Sequence, residues 1–285
     1  MITDPNHPNT TKISPSIWKV DSFDGLLTEL AAIEDFGKKS NSLIVFRGQR
    51  DKKWLLDSTF VRSFKTTLFG IKAHDRLTTR ITETKELHLS ILNLYLLKFG
   101  VLCRPSDELE EKSAELDLDA WFEFMKRIQQ YPNQDGFFLK GTNLIDWSLS
   151  SDVALYFANE DRDSDGALFI CDATATGNTH QKEPFGKILE LMDEKGNNGS
   201  QLGVPLLIQP PKHISNPRPN NQQAIYFAQM DMRYDLELIW NQYSKIKGSS
   251  PVVLKIELPL SLMPEIASHL SGKGMDKQFI YPDES

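Results

Sequence analysis

Apolar residues along this chain fall into two kinds of pattern, helical stripes and short continuous runs. Phe23, Leu26, Leu27, Leu30 and Ile33 recur at helical spacing. Asp21 or Ser22 can cap that helix, and Gly37 followed by Lys38-Lys39 predicts its end. Ser42 to Phe46 is a short apolar run, predicted to be a buried strand, after which the chain turns polar through Arg50-Asp51-Lys52-Lys53. The clearest helical pattern is Thr82 to Phe99, with Leu87, Ile91, Leu94, Tyr95 and Leu97 to Phe99 on a wide apolar face and Gly100 as its stop. A further helix is predicted over Leu118–Gln130, behind an acidic run from Asp107 to Asp119 that reads as a solvated face. Asp152 to Asn159 is a short helix, and Asp165-Gly166 turns into a strand over Ala167–Cys171. Leu206–Ile208 and Val252–Ile256 are further strands, Leu262–Leu270 a helix and Gln278–Tyr281 a last strand, while Met232–Tyr243 fits either period. Short strands among scattered helices predict an α+β domain rather than a regular βαβ array. Residues 1–19 read as a flexible lead-in. Residues 20–285 read as one domain with a helical insertion around 101–135 and a polar loop around 173–203 that holds a short helix, Ile188 to Met192.

Composition narrows this picture. The 285 residues are 40% hydrophobic and 25% charged, enough apolar material for a sizeable core. A net charge of -7 argues against a nucleic-acid binder that uses its whole surface, and leaves a local basic groove open. Two cysteines are too few for a disulfide framework, and Cys171, inside an apolar run, is expected to be a buried small hydrophobe. The six histidines show no metal-ligand spacing, so no metal is expected. No signal peptide and no membrane-length apolar stretch is visible, and a cytoplasmic protein without a membrane partner is the expectation.

Three polar motifs sit at the ends of apolar runs. In Phe46-Arg47-Gly48-Gln49 a guanidinium fork stands beside a glycine that lets a ligand approach the backbone, a pairing suited to phosphate. In Asp146-Trp147-Ser148-Leu149-Ser150-Ser151, which runs into the helix bearing Tyr156, the hydroxyls can cap the helix or bond a ligand's ribose or carboxamide. Asp146 can orient Arg47 through a bidentate pair. Trp147, Tyr156 and Phe157 can wall an aromatic ring or fill the core, and Phe157 is expected in the core. In Asn216-Pro217-Arg218 followed by Gln222-Gln223, prolines predict a loop that enters a strand near Ala224. The two amides can read a ribose hydroxyl or satisfy the loop's own backbone.

These motifs resemble the FRG domain family, named for its Phe-Arg-Gly signature. Phe46-Arg47-Gly48-Gln49 matches that signature, with Trp54, Leu56, Ser58 and Arg62 following at similar spacing. Leu144 to Ser148 with Val153 to Ala158 resembles a second signature, Asn216-Pro217-Arg218 with Gln222 a third, and Phe279 to Asp283 the closing segment. The family's Gln-His-Tyr-Gly and Pro-Thr-Arg, usual before the second signature, are replaced here by Gly136 to Asn143, and Ala224 stands where a glycine is usual.

The resemblance implies more than the residues do alone. Its motif order is similar to that of ADP-ribosyltransferases, which split NAD at a cleft between two small sheets. On that analogy the fold is an ADP-ribosyltransferase-like pair of split mixed or antiparallel sheets with peripheral helices. Arg47, Gly48, Gln49, Asp146, Trp147, Ser150 and Tyr156 would contact NAD, and Ser148, Gln222 and Gln223 would stand at the catalytic position. The implied activity is transfer of ADP-ribose to a macromolecule, protein or nucleic acid, or NAD hydrolysis, in a toxin or phage-defence setting. A glutamate that would steady the developing cation has no motif counterpart, and Asp235 and Glu237 are candidates without motif support. The alternative is a non-catalytic nucleotide- or nucleic-acid-binding module that uses the same cleft, for which Arg47, Arg50, Lys52, Lys53, Arg62 and Lys65 form a local basic cluster. A third possibility is that Arg47, Asp146 and Arg218 form an ion network of purely architectural value.

Overall fold

The apolar run that ends at Phe46 lies in the middle of a sheet. A computed structural model describes residues 10–77, 85–102, 125, 126, 128, 129, 133, 135–176, 205–208 and 217–282. The strands are β1 (Thr10–Ser14), β2 (Ile17–Val20), β3 (Ile44–Gln49), β4 (Leu144–Ser148), β5 (Gly166–Asp172), β6 (Leu206–Ile208), β7 (Ala224–Ala228) and β8 (Val253–Leu258). They form one eight-stranded mixed sheet in the order β1-β2-β8-β5-β3-β4-β7-β6. β2 pairs parallel with β8, and the other described pairings are antiparallel. The helices are α1 (Phe23–Ser40), α2 (Thr59–Phe69), α3 (Lys85–Leu102), α4 (Ser151–Asn159), α5 (Pro217–Asn221), α6 (Leu236–Lys247), α7 (Met263–Gly272) and α8 (Lys277–Ile280). The α+β expectation holds at this level.

Local chemistry explains most element ends. Ser22, not Asp21, caps α1 by accepting from the Gly25 N–H, and Ser150 caps α4 by accepting from the Val153 N–H. Gly37 does not end α1. The helix runs on to Ser40 and stops at Asn41, which takes the left-handed conformation at φ 52°. Gly100 likewise lies inside α3. The ambiguous stretch before Tyr243 is helical from Leu236, capped by Asp235. The expected strand at Gln278–Tyr281 is instead the short helix α8, because Asp276 accepts from the Phe279 N–H and starts a turn. The third motif begins not as loop but as α5, whose first residue, Pro217, has φ preset for a helix start. α2 was not anticipated, although Ser58 caps it and Phe60, Val61 and Phe64 give it a buried stripe. Residues 10–19 are no lead-in: they form β1 and most of β2, and β2 joins the sheet through β8. The acidic run Asp107–Asp119, most of the helix at Leu118–Gln130 and the helix at Ile188–Met192 lie outside the described residues.

Three apolar clusters hold the layers together. On one face of the sheet, α1, α4 and α7 pack over β2, β8, β5 and β3 through Leu26, Leu30, Leu155, Ile266, Ile170 and Ile256. On the same face, α2 and α3 pack over β4, β7 and β6 through Phe60, Phe64, Ile91, Tyr95, Leu144 and Tyr226. The other face is covered by α6, whose Leu236, Ile239 and Trp240 meet Ile145, Trp147, Phe169 and Phe227. Cys171 is buried in this third cluster, where burial pushes its thiol pKa up. Among the described residues no helix is long and apolar enough to cross a membrane.

The sheet is nearly divided where the first two clusters meet. β3 keeps six register pairs with β5 and β4 keeps five with β7, but β3 and β4 share a single pair, Phe46 with Ser148. Past that pair the two strands part, and the opening between them is the start of a cleft.

Candidate functional site

Arg47 is the first residue of β3 beyond the shared pair, so it stands in this opening. Its guanidinium donates through Nη1 to the backbone carbonyl of Asp146 on the facing strand. That bond bridges the two halves of the sheet and leaves the rest of the guanidinium without a described hydrogen bond. Nε is buried and has no hydrogen-bond partner among the described residues. Burial pushes the Arg47 pKa down to about 10, with Asp146 opposing and Arg62 adding to the fall. A guanidinium so placed remains charged at neutral pH and carries donors that an anion can satisfy.

Gly48 is needed for the helix. A Cβ there would lie 1.8 Å from the Ala154 carbonyl oxygen and 2.5 Å from the Ala158 nitrogen, so only glycine lets α4 rest on β3. This close approach brings Phe157 of α4 and Glu160, the residue that ends it, to the lining of the cleft.

The cleft has a volume of about 620 Å³, within the ~300–1,000 Å³ range of small-molecule sites. Its cations are Arg47, Arg50, Arg62, Arg218 and Lys126, and its carboxylates Asp146 and Glu160. This positive lining belongs to a chain of net charge -7. Arg62 is aimed by its bonds to the Asp57 carbonyl at 2.8 Å and to Thr59 Oγ1 at 2.9 Å, and burial lowers its pKa. Trp54 stacks on His74 at 4.7 Å with the planes 10° apart, and Arg50 lies 5.7 Å from the Trp54 ring centroid. Arg218 lies over the Tyr281 ring at 4.7 Å. Gln49 Oε1 and His74 Nδ1, like Arg47 Nε, are buried without a described partner. With Trp147 Nε1, four polar atoms on residues that line the cleft are buried without a described hydrogen bond, an unusual concentration for one place in a fold.

The two carboxylates differ. Glu160 accepts from the Tyr156 hydroxyl at 3.2 Å and the Tyr281 hydroxyl at 3.1 Å, and burial together with this negative neighbour raises both phenol pKa values. Asp146 is open to solvent through the cleft mouth and enclosed by protein elsewhere. Burial pushes its carboxyl pKa up, while Arg47, its own backbone N–H, Arg218 and Arg62 oppose. No side chain hydrogen-bonds to its carboxylate among the described residues.

The three motifs therefore meet, with several changes of part. Arg47, Gly48, Gln49, Asp146, Ser148 and Gln222 all line the cleft. The bidentate Arg47–Asp146 pair does not form, since Arg47 uses the Asp146 carbonyl. Ser148 Oγ is committed to structure: it donates to the Gln222 carbonyl at 2.7 Å and accepts from the Ser150 N–H at 2.9 Å. Gln222 Nε2 donates to the Ile280 carbonyl at 3.0 Å, and Asn221 Nδ2 to the Phe279 carbonyl at 2.8 Å, so the adjacent amides tie down the closing segment that carries Tyr281. Gln223, at φ 46°, and Ser150 do not line this cleft but a second, more open groove that shares Phe46 with it. Trp147 also borders the cleft, but most of its ring is committed to the core. Its ring is buried edge-on to Phe227 at 5.6 Å and Trp240 at 5.8 Å, because strand alternation turns it to the α6 face. Tyr156 packs beside the core and does not itself line the cleft; it meets cleft residues through its hydroxyl on Glu160 and through edge-on ring contacts with Phe157 at 5.8 Å and Tyr281 at 6.3 Å. Asp235 is held by Arg76 at 2.7 Å, and neither it nor Glu237 lines the cleft. Lys52 pairs with Asp165 and Glu257, and Lys65 with Asp57, leaving Arg47, Arg50 and Arg62 as the members of the basic cluster that line the cleft.

Sequence reasoning missed Phe157, Glu160, His74 and Tyr281 as cleft residues. Phe157 and Glu160 follow from helical spacing once Gly48 fixes which face of α4 meets β3. His74 and Tyr281 carry no local signal, since their place depends on how distant loops are tied down. Among the described residues no group of three or more His, Cys, Asp or Glu is placed to hold a metal ion.

No family model, no curated protein and no solved structure matches the chain. What the cleft does must be argued from its own geometry.

Proposed function

We propose that this cleft binds a nucleotide with a pyrophosphate, NAD being the first candidate. The observation that carries the reading is Arg47, held in the opening of a divided sheet by one backbone carbonyl, with its remaining donors unspent. Arg62, Arg218 and Lys126 add positive charge around it, and Trp54, His74, Phe157 and Tyr281 add flat apolar surface of the kind a base takes. An anion with an aromatic end is the ligand that uses both.

A second reading, ADP-ribosyltransferase-like cleavage of NAD with transfer to a macromolecule or to water, draws support from the near-division of the sheet at the arginine. Against it stand the structural bonds of Ser148 and Gln222 and the position of Gln223 outside the cleft. Binding without turnover is therefore the better supported form of the proposal.

Calorimetric titration with NAD and with ADP tests it. Saturable one-site binding that weakens with added salt is expected, because phosphate interactions of this kind are screened. Nicotinamide release in the same samples would favour the second reading. Absence of binding for both ligands at millimolar concentration would remove the first.

A further inference from the structure

An exposed carboxylate in a cleft whose charged lining is mostly cationic is misplaced for an anion unless the ligand brings donors to it. Asp146 poses that problem. Its carboxylate feels Arg47, Arg62 and Arg218 electrostatically, yet the described hydrogen bonds of Arg47 and Arg62 go to other groups. Arg47 takes the carbonyl of the same residue instead. The other carboxylate of the cleft, Glu160, is occupied by two phenols. An ionised carboxylate only accepts, so its complement is a pair of hydroxyl or amine donors. A bare phosphate or pyrophosphate meets it as repulsion.

We propose that Asp146 reads the vicinal hydroxyls of a ribose, so that the cleft selects ribonucleotides over nucleotides without a sugar diol. This deepens the nucleotide reading above and rests on it. Position favours the sugar as the source of the donors. Arg47 is bonded to the Asp146 carbonyl, so a phosphate held by Arg47 lies one residue's width from the Asp146 carboxylate, and the group covalently next to a nucleotide's phosphate is its sugar. Two adjacent hydroxyls match the two carboxylate oxygens, the same chemistry by which acidic residues hold ribose in dinucleotide folds.

The test compares ADP, 2′,3′-dideoxy-ADP and inorganic pyrophosphate on the wild type and on Asp146→Asn. The wild type is expected to prefer ADP over the dideoxy analogue by about tenfold, the usual effect of deleting a hydrogen bond to a charged group in an enclosed site. In Asp146→Asn that preference collapses, while pyrophosphate binds several-fold tighter because a repelling charge is gone. Loss of the ADP preference together with tighter pyrophosphate binding is something a merely structural residue does not produce. Equal weakening of all three ligands would overturn the inference in favour of such a residue. Equal change for ADP and its dideoxy analogue would overturn it in favour of plain repulsion or an interaction with the base. Wild-type binding of ADP with no preference over the dideoxy analogue removes the sugar recognition alone. No binding of ADP or of pyrophosphate removes the nucleotide reading, and this inference with it.

Discussion

Arg47→Ala is expected to weaken nucleotide binding by on the order of 100-fold, about 2.7 kcal/mol, while leaving the protein folded. The size follows from charge-assisted hydrogen bonds in an enclosed site, where donors to an anion are worth more than at the surface. The stability forecast follows from the bonding of the residue. Arg47 makes one described hydrogen bond and is desolvated enough to lower its pKa to about 10, so its charge contributes little to folding. Arg47→Lys restores only part of the affinity, since an ammonium cannot reach the Asp146 carbonyl and an anion with one planar fork. The pH dependence has a definite sign. The charged guanidinium binds the anion, so affinity for ADP is level from about pH 7 to pH 9 with respect to this group and falls as the pH rises through about 10. Titration of both variants beside circular dichroism checks all three points. An unfolded Arg47→Ala would show instead that the arginine is architectural.

Gly48→Ala is expected to be strongly destabilising although it adds only a methyl group. The new methyl group would sit 1.8 Å from a helix carbonyl and 2.5 Å from a helix nitrogen, and neither backbone atom can turn aside as a flexible side chain would. α4 must move as a body, breaking its packing through Ala154, Leu155 and Ala158 against β3 and the neighbouring helices. A loss of about 3 kcal/mol or more is expected in urea unfolding, at the upper end for overpacking. Gly272→Ala is the control. It lies in α7 with no atom within 4 Å of the added carbon, and it should be neutral or stabilise by up to about 1 kcal/mol through helix propensity. Equal stability of the two variants would mean that α4 does not lie on Gly48 as described.

Local periodicity made much of the fold legible. The stripe from Phe23 to Ile33, the run ending at Phe46, the helix around Tyr156 and the strand at Cys171 could be read because each buries one face whatever its neighbours do. Residues 10–19 and the closing segment were misread for the opposite reason. Thr10–Val20 becomes strand because β8 offers an edge to pair with, and Lys277–Ile280 becomes helix because Asp276 caps it and two side-chain amides, Asn221 at the end of α5 and Gln222 just past it, hold its carbonyls. The site divides in the same way. Residue types suited to an anion were visible in Arg47, Arg62 and Arg218. Which hydroxyls and amides are spent on the backbone was not, since Ser148 bonds a carbonyl 74 residues away and Gln222 one 58 residues away. Gly48 shows how a motif can be read as constrained without its packing cause being visible: the close approach found at its Cβ side is that of a helix.

The central claim is that one opening in the sheet, bridged by Arg47, is where a nucleotide sits. A crystal structure of the protein with ADP tests it most directly. The account predicts the pyrophosphate within hydrogen-bonding distance of the Arg47 guanidinium, about 3 Å, with the ribose over Asp146. ADP bound elsewhere on the molecule, with the Arg47 donors unmet, would contradict it.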